Sequence, residues 1–162
     1  MTVILLAYAT RNGSTREVVD AIAAMLRETG VEVRVRAART VRAPIEEADL
    51  IVLGAPLYNG RWHRDAHRLL KRHRDTLRRL PVAVFGMGPR RDTPEAWAQA
   101  RSQLNRALTR HSWLTPLTVA VFGGADSPKH RLHRDLRDWN AIEAWALGIC
   151  RLSERTAAHG AT

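Results

Sequence analysis

Thr10, Arg11, Asn12, Gly13, Ser14 and Thr15 stand in a row between an apolar run and a helical pattern. Backbone N–H groups at a helix N-terminus, with the positive end of the helix dipole, form a ready anion site. Thr10, Asn12, Ser14 and Thr15 add side-chain donors, and Gly13 allows positive φ or close approach to a ligand. The row is neither G-x-x-x-x-G-K-S/T nor G-x-G-x-x-G. The chemistry it offers is capture of a terminal phosphate by hydroxyls and amides, without a lysine. An N-cap role for Ser14 or Thr15 accounts for one hydroxyl but not for the group.

Other residues could act beside it. Ala55, Pro56, Leu57, Tyr58, Asn59 and Gly60 form a second loop rich in turn formers, in which Tyr58 offers an aromatic face to a flat ligand. Met87 and Gly88 stand at the end of a further apolar run. His63 follows the second loop and could donate to a substrate or to a bound ring. His63 and His67 have the i, i+4 spacing of metal ligands, but no third ligand is in sequence reach and H-E-x-x-H is absent, so no metal is expected. Neither a nucleophile elbow nor a Ser/His/Asp set with motif context is present. Gly123 and Gly124 either end a strand or leave a loop open to a second reactant. Cys150 reads as a buried, inert thiol, and Trp62, Trp97, Trp139 and Trp145 as core residues at helical spacing.

These groups need a frame. Val3 to Tyr8 reads as a strand buried on both faces, as in a parallel sheet. Val18, Val19, Ile22, Ala23 and Leu26 follow at helical spacing, with Gly30 as the stop. Val31, Val33 and Val35 alternate with charges, which predicts an edge strand. After a polar connection with a helical turn at residues 45–48, Asp49 to Gly54 reads as a central strand. Trp62, Ala66, Leu69, Leu70, His73, Leu77 and Leu80 predict one helix whose other face carries Arg64, Arg68, Lys71, Arg72, Arg74, Arg78 and Arg79. A fourth strand spans residues 81–87. Thr93 and Pro94 open the next helix, and a fifth strand spans residues 117–122. The last helix carries Leu136, Trp139, Ile142, Trp145, Ala146 and Ile149. Strands alternating with helices predict an α/β, doubly wound, five-stranded parallel sheet in the order 2-1-3-4-5 with helices on both faces. One domain is expected over residues 1–155, with a frayed tail over 156–162.

The chain has 162 residues, of which 45% are hydrophobic and 26% charged, proportions that suit one globular core. Its 26 Lys and Arg against 16 Asp and Glu leave a net charge of +10, which favours anionic partners. The basic helix face lacks interleaved aromatics, so no specific nucleic-acid binding is expected; weak peripheral association with an anionic membrane surface is. A single cysteine allows no intrachain disulfide, and no run reaches membrane-spanning length, so a cytoplasmic setting is expected, extending to the inner membrane face.

Y-A-T-R-N-G-S-T resembles the phosphate loop of flavodoxin-like proteins that bind FMN, in the version found in menaquinone-dependent protoporphyrinogen dehydrogenases. G-A-P-L-Y-N-G-R-W-H at residues 54–63 resembles their second flavin loop, and R-D-W-N-A-I at 137–142 the start of their last helix. The segment 125–138 is shorter than its counterpart in those dehydrogenases. Electron-carrier flavodoxins are usually acidic, so this basic chain offers no acidic face for a basic reductase. The resemblance implies FMN as cofactor, held by residues 10–15, 55–60 and 87–88, and a flavodoxin-like fold. It implies an oxidoreductase acting with a redox partner, a quinone or an anionic small-molecule substrate such as a porphyrinogen. An electron-transfer flavodoxin without its own substrate and a non-enzymatic polyanion-binding protein are the alternatives.

Overall fold

Six-residue β1 (Val3–Tyr8) lies inside the sheet, with a strand on either side, as its two apolar faces require. The computed structural model describes residues 2–42, 44–45 and 47–160. α1 (Ser14–Glu28) follows, and Gly30 ends it at φ 89°. Then come β2 (Glu32–Ala37), β3 (Leu50–Tyr58), β4 (Arg61–Trp62), α2 (Arg64–Arg72), the single turn α3 (Arg74–Leu77) and β5 (Val82–Met87). α4 (Pro94–Thr109), β6 (Thr118–Phe122) and α5 (Trp139–Gly160) complete the chain. The strand order is β2-β1-β3-β5-β6, with β4 paired antiparallel to β3. Counting only the five long parallel strands, this is the expected 2-1-3-4-5. The alternating strand β2 lies at an edge, as its charges predict.

Period-two alternation divides the strand residues between two cores. Ile4, Leu6, Val52 and Phe85 pack with α1 and α5, whereas Leu5, Ala7, Leu53 and Val84 pack with α2 and α4. Gly54 is required inside this sheet because a Cβ there would run into the Phe85 ring. Thr93 caps α4 by accepting Ala96 N–H at 3.1 Å, with Pro94 at the first helical position. Cys150 is buried against α1, its Sγ 3.5 Å from Thr29 Oγ1.

The structure corrects several expectations. The helix predicted to run on to Leu80 breaks at His73 (φ −107°, ψ 23°), whose buried ring turns inward to 3.4 Å from the Val41 carbonyl oxygen. Trp62 lies on β4 rather than on that helix; it is core all the same, its indole donating to the Ala55 carbonyl at 3.2 Å. Trp139 is 39% exposed and is not core, and Trp97 is only half-buried, its N–H bonded to Asp92. α5 continues through Thr156 to Gly160, where a frayed tail is expected; Ala157 and Ala158 are good helix formers and no proline intervenes. Residues 161–162, the end of that tail, lie outside the described residues, as does Glu46 in the turn expected at 45–48. Among the described residues no helix is long and apolar enough to cross a membrane.

Candidate functional site

The direction of strand pairing reverses at β1, with β2 on one side and β3 on the other. Doubly wound sheets bind ligands at that point, beyond the carboxyl ends of the strands. Ala9 N–H donates to Gly54 O at 3.0 Å and ties the first loop to β3. Gly13 is the N-cap of α1 and is left-handed (φ 88°), which suits glycine. Among the described residues no side chain caps this helix, so the hydroxyls of Ser14 and Thr15 are not spent on capping. The first-turn N–H groups have no intrahelical acceptor. Thr10 Oγ1 accepts Gly13 N–H at 2.8 Å, leaving its own O–H to donate. Thr15 is 0% exposed, and its Oγ1 has no hydrogen-bond partner among the described residues. A buried hydroxyl of that kind costs about 1–3 kcal/mol unless something bonds to it. A terminal phosphate, with several acceptor oxygens, fits this donor set.

Arg137 anchors the same helix end from far along the chain. Its largely buried guanidinium donates to Glu17 Oε2 at 2.8 Å and reaches Ser14 O at 3.5 Å, while Asp135 holds its other edge at 2.7 Å. The hydrogen bond from Arg137 is the main cause holding the Asp135 carboxyl below the usual range. Residues 137–142 resembled a family motif in sequence, but this anchoring role could not be read there.

The second loop is not a loop at its start. β3 runs through Ala55, Pro56, Leu57 and Tyr58, and Ala55 and Pro56 pair with Gly86 and Met87 of β5. Asn59 (φ 49°) and Gly60 (φ 77°) then form a two-residue hairpin turn into β4. Asn-Gly between strand residues is a strong hairpin signal, because both positions need positive φ. Of the six residues expected here, Tyr58, Asn59 and Gly60 are exposed, whereas the Ala55 side chain is in the core. Tyr58 lies beneath Arg11, whose guanidinium carbon is 3.7 Å from the ring centroid. The Met87 side chain is buried and packs with the α1 and α5 core.

The third loop, after Gly88, is closed down by the chain beyond β6. Gly88 N–H donates to Phe122 O at 2.7 Å and Gly124 N–H to Pro89 O at 2.9 Å. A Cβ at Gly123 would run into the Leu136 carbonyl, and one at Gly124 would lie 2.8 Å from Gly88 O. Both glycines are there for close backbone approach, which removes the open-loop reading.

His63 and His67 diverge. His63 Nδ1 accepts Asp65 N–H at 3.0 Å and caps α2, which places the ring proton on Nε2. Burial lowers its pKa, with Arg64 and Arg11 adding to the effect against Asp65. A neutral ring with an Nε2–H donor can orient an acceptor without carrying charge. His67 Nδ1 lies 2.8 Å from His111 Nε2. Among the described residues no group of three or more His, Cys, Asp and Glu could hold a metal.

The sequence pattern of the flavodoxin domain family matches residues 5–132. Protoporphyrinogen IX dehydrogenase (quinone) of Escherichia coli K12 is 26% identical over 133 residues, covering 78% of this chain and 71% of that protein. A short-chain flavodoxin associated with a PDU bacterial microcompartment superposes with a TM-score of 0.66 at 19% identity, over 94% of this chain and 99% of that one. A Fusobacterium nucleatum flavodoxin bound to flavin mononucleotide superposes with a TM-score of 0.57 at 16% identity, over 93% and 98%.

Proposed function

The chain belongs to the flavodoxin domain family, whose cofactor is FMN, and we propose that it works as an FMN-dependent oxidoreductase passing electrons to or from a quinone or another small reactant. One observation carries the placement of the cofactor: a fully buried Thr15 hydroxyl that has no partner among the described residues, beneath a helix end that no described side chain caps. Thr10, Asn12, Ser14 and Thr15, with the first-turn amides of α1, would hold the FMN phosphate. Tyr58, Asn59, Gly60 and the backbone at Met87 and Gly88 would line the flavin. FMN supplies the redox chemistry, which none of these side chains has.

The rest of the chain positions and tunes. Arg137 holds the helix end, and Glu17 is engaged with that arginine. His63 offers its Nε2–H near the second loop as a donor to a reactant or to the ring. The quinone-linked reading is supported by the E. coli relative, whose name specifies a quinone.

Flavin titration tests the cofactor site. FMN binding at least tenfold tighter than riboflavin is expected, since only FMN carries the phosphate; equal affinities would remove residues 10–15 from the site. Stopped-flow reoxidation of the reduced, FMN-loaded chain by a naphthoquinone tests the oxidoreductase reading. Reoxidation only by a protein acceptor would make it an electron carrier.

A further inference from the structure

A second recess opens on the α4 side of the sheet's carboxyl edge, with a volume of about 330 Å3, in the lower part of the range for ligand pockets, about 300–1,000 Å3. Leu57, Pro89, Ala96 and Ala100 give it an apolar wall, and Arg90, Arg91 and Arg134 line it with no acidic residue among the lining groups. Leu57 and Gly88, two of its borders, belong to the loops that hold the flavin. Leu57 packs into the α2 and α4 core while its neighbour Tyr58 lies beneath Arg11 of the phosphate loop. Successive strand residues face opposite sides, so the recess lies across β3 from the phosphate loop.

Two of the arginines are held in place from below. The Asp126 side chain is fully buried, and its Oδ2 accepts the Arg134 backbone N–H at 2.9 Å and Nε–H at 3.0 Å. Its Oδ1 accepts no hydrogen bond from the described residues and lies 3.7 Å from Arg90 Nε; His130 Nδ1 is 3.4 Å from Oδ2. Burial pushes this carboxyl up, but the hydrogen bonds from Arg134 and the charges of Arg134 and His130 prevail and hold it below its ordinary value. Arg91 is exposed and makes no ion pair among the described residues. Two guanidinium groups thus flank one carboxylate, and Arg91 adds a third cation to the lining. The recess keeps a net positive charge with planar donors suited to oxyanions.

We propose that this recess binds the anionic group of a second, small-molecule reactant, a carboxylate or phosphate ester carried on an apolar body. As a reactant site it rests on the flavin reading; as an anion site it does not. The test is calorimetric titration of the FMN-loaded chain with naphthoate, naphthyl phosphate and neutral naphthol, FMN keeping the probes out of the phosphate loop. At least one anion should bind tenfold or more tighter than naphthol, and the tighter of the two names the oxyanion. That binding should weaken as salt rises and fall about tenfold in Arg91→Gln, an exposed and unpaired position where folding is unaffected. Naphthol binding as tightly as both anions would overturn the proposal. So would anion binding unchanged in both Arg91→Gln and the Arg90→Gln/Arg91→Gln double variant. A chain that rejects FMN would sink the flavin reading instead, and naphthoate titration of the FMN-free chain would then decide the anion site alone.

Discussion

Arg11 of the phosphate loop stacks on Tyr58 of the β3–β4 hairpin, its guanidinium carbon 3.7 Å from the ring centroid. The contact joins two loops 47 positions apart at the sheet's switch point. It shows that the exposed Tyr58 face accepts a flat, delocalised group. Tyr58→Ala should weaken FMN by about 0.5–1.5 kcal/mol, or roughly 2- to 12-fold in Kd. Riboflavin should weaken by the same factor, because the phosphate is not involved. Bound flavin should also fluoresce more brightly in the variant. Fluorescence titration reads both; unchanged affinity and brightness would place Tyr58 outside the flavin contact.

The buried Thr15 hydroxyl makes a prediction of opposite signs. Thr15→Val keeps the volume and removes a polar atom that has no partner among the described residues. The FMN-free chain should be as stable as before, or more so by about 1 kcal/mol. FMN affinity should fall by about 1.5–3 kcal/mol, the range for a hydrogen bond to a charged group, while riboflavin is unaffected. Thr10→Ala and Ser14→Ala should weaken FMN in the same range without unfolding the protein. Thermal melts with and without FMN would show the divergence, and a Thr15→Val chain with unchanged FMN affinity would contradict it.

His67 ties stability to pH. Burial first, then Arg110 and His111, hold its imidazole down to about 4 from an ordinary 6.5. The unfolded chain therefore binds more protons between those values, so stability rises with pH across that window. The contribution is complete above about pH 6.5 and is lost as pH falls toward 4. The ring is half-exposed, and solvent screening brings the expected loss to about 1 kcal/mol. His111, lowered in the same direction by burial and Arg110, adds to the slope. Urea melts at stepped pH should show this decline, and His67→Gln should flatten it; an identical slope in the variant would assign the acid sensitivity elsewhere.

Arg64, Arg68, Lys71, Arg72 and Arg78 are all exposed on or beside α2 and α3. Ala66, Leu69 and Leu70 of α2 are committed to the core, so this helix has no apolar stripe left to insert into lipid. Peripheral, salt-sensitive association with anionic vesicles is expected, collective over roughly 8 Å at physiological salt. Co-sedimentation at low and physiological salt, against neutral vesicles, measures it. Retention that salt does not weaken would mean the contact is not electrostatic, and no retention at low salt would return these residues to a solvated surface.

Local chemistry made much of the site readable from the chain alone. The apolar run at Val3 to Tyr8 is a buried parallel strand because it lacks both polar alternation and helical spacing. The loop after it joins a glycine to a cluster of hydroxyls at a helix start, and each of those properties is fixed within a few bonds. Thr93 and Pro94 start α4 for the same local reason. Asn59 and Gly60 carried a hairpin signal as local as these, but with Pro56 close before them the stretch 55–60 read more simply as an irregular loop. Where the strand ends was decided instead by pairing of Ala55 and Pro56 with β5.

Tertiary structure alone decided which charges meet. Arg137 reaches Glu17 across 120 residues and His67 meets His111 across 44. Asp126 gathers Arg90 and Arg134 from two different connections. In sequence each of these is one charge or ring among many, and an ion pair has no periodicity to betray it. Composition established that the chain is strongly basic; folding determined that three arginines share one recess and that two of them flank a single buried carboxylate. The physical reason is range: backbone conformation and hydrophobic period are set by neighbours along the chain, whereas partnership between polar side chains is set by which loops the sheet brings to one edge.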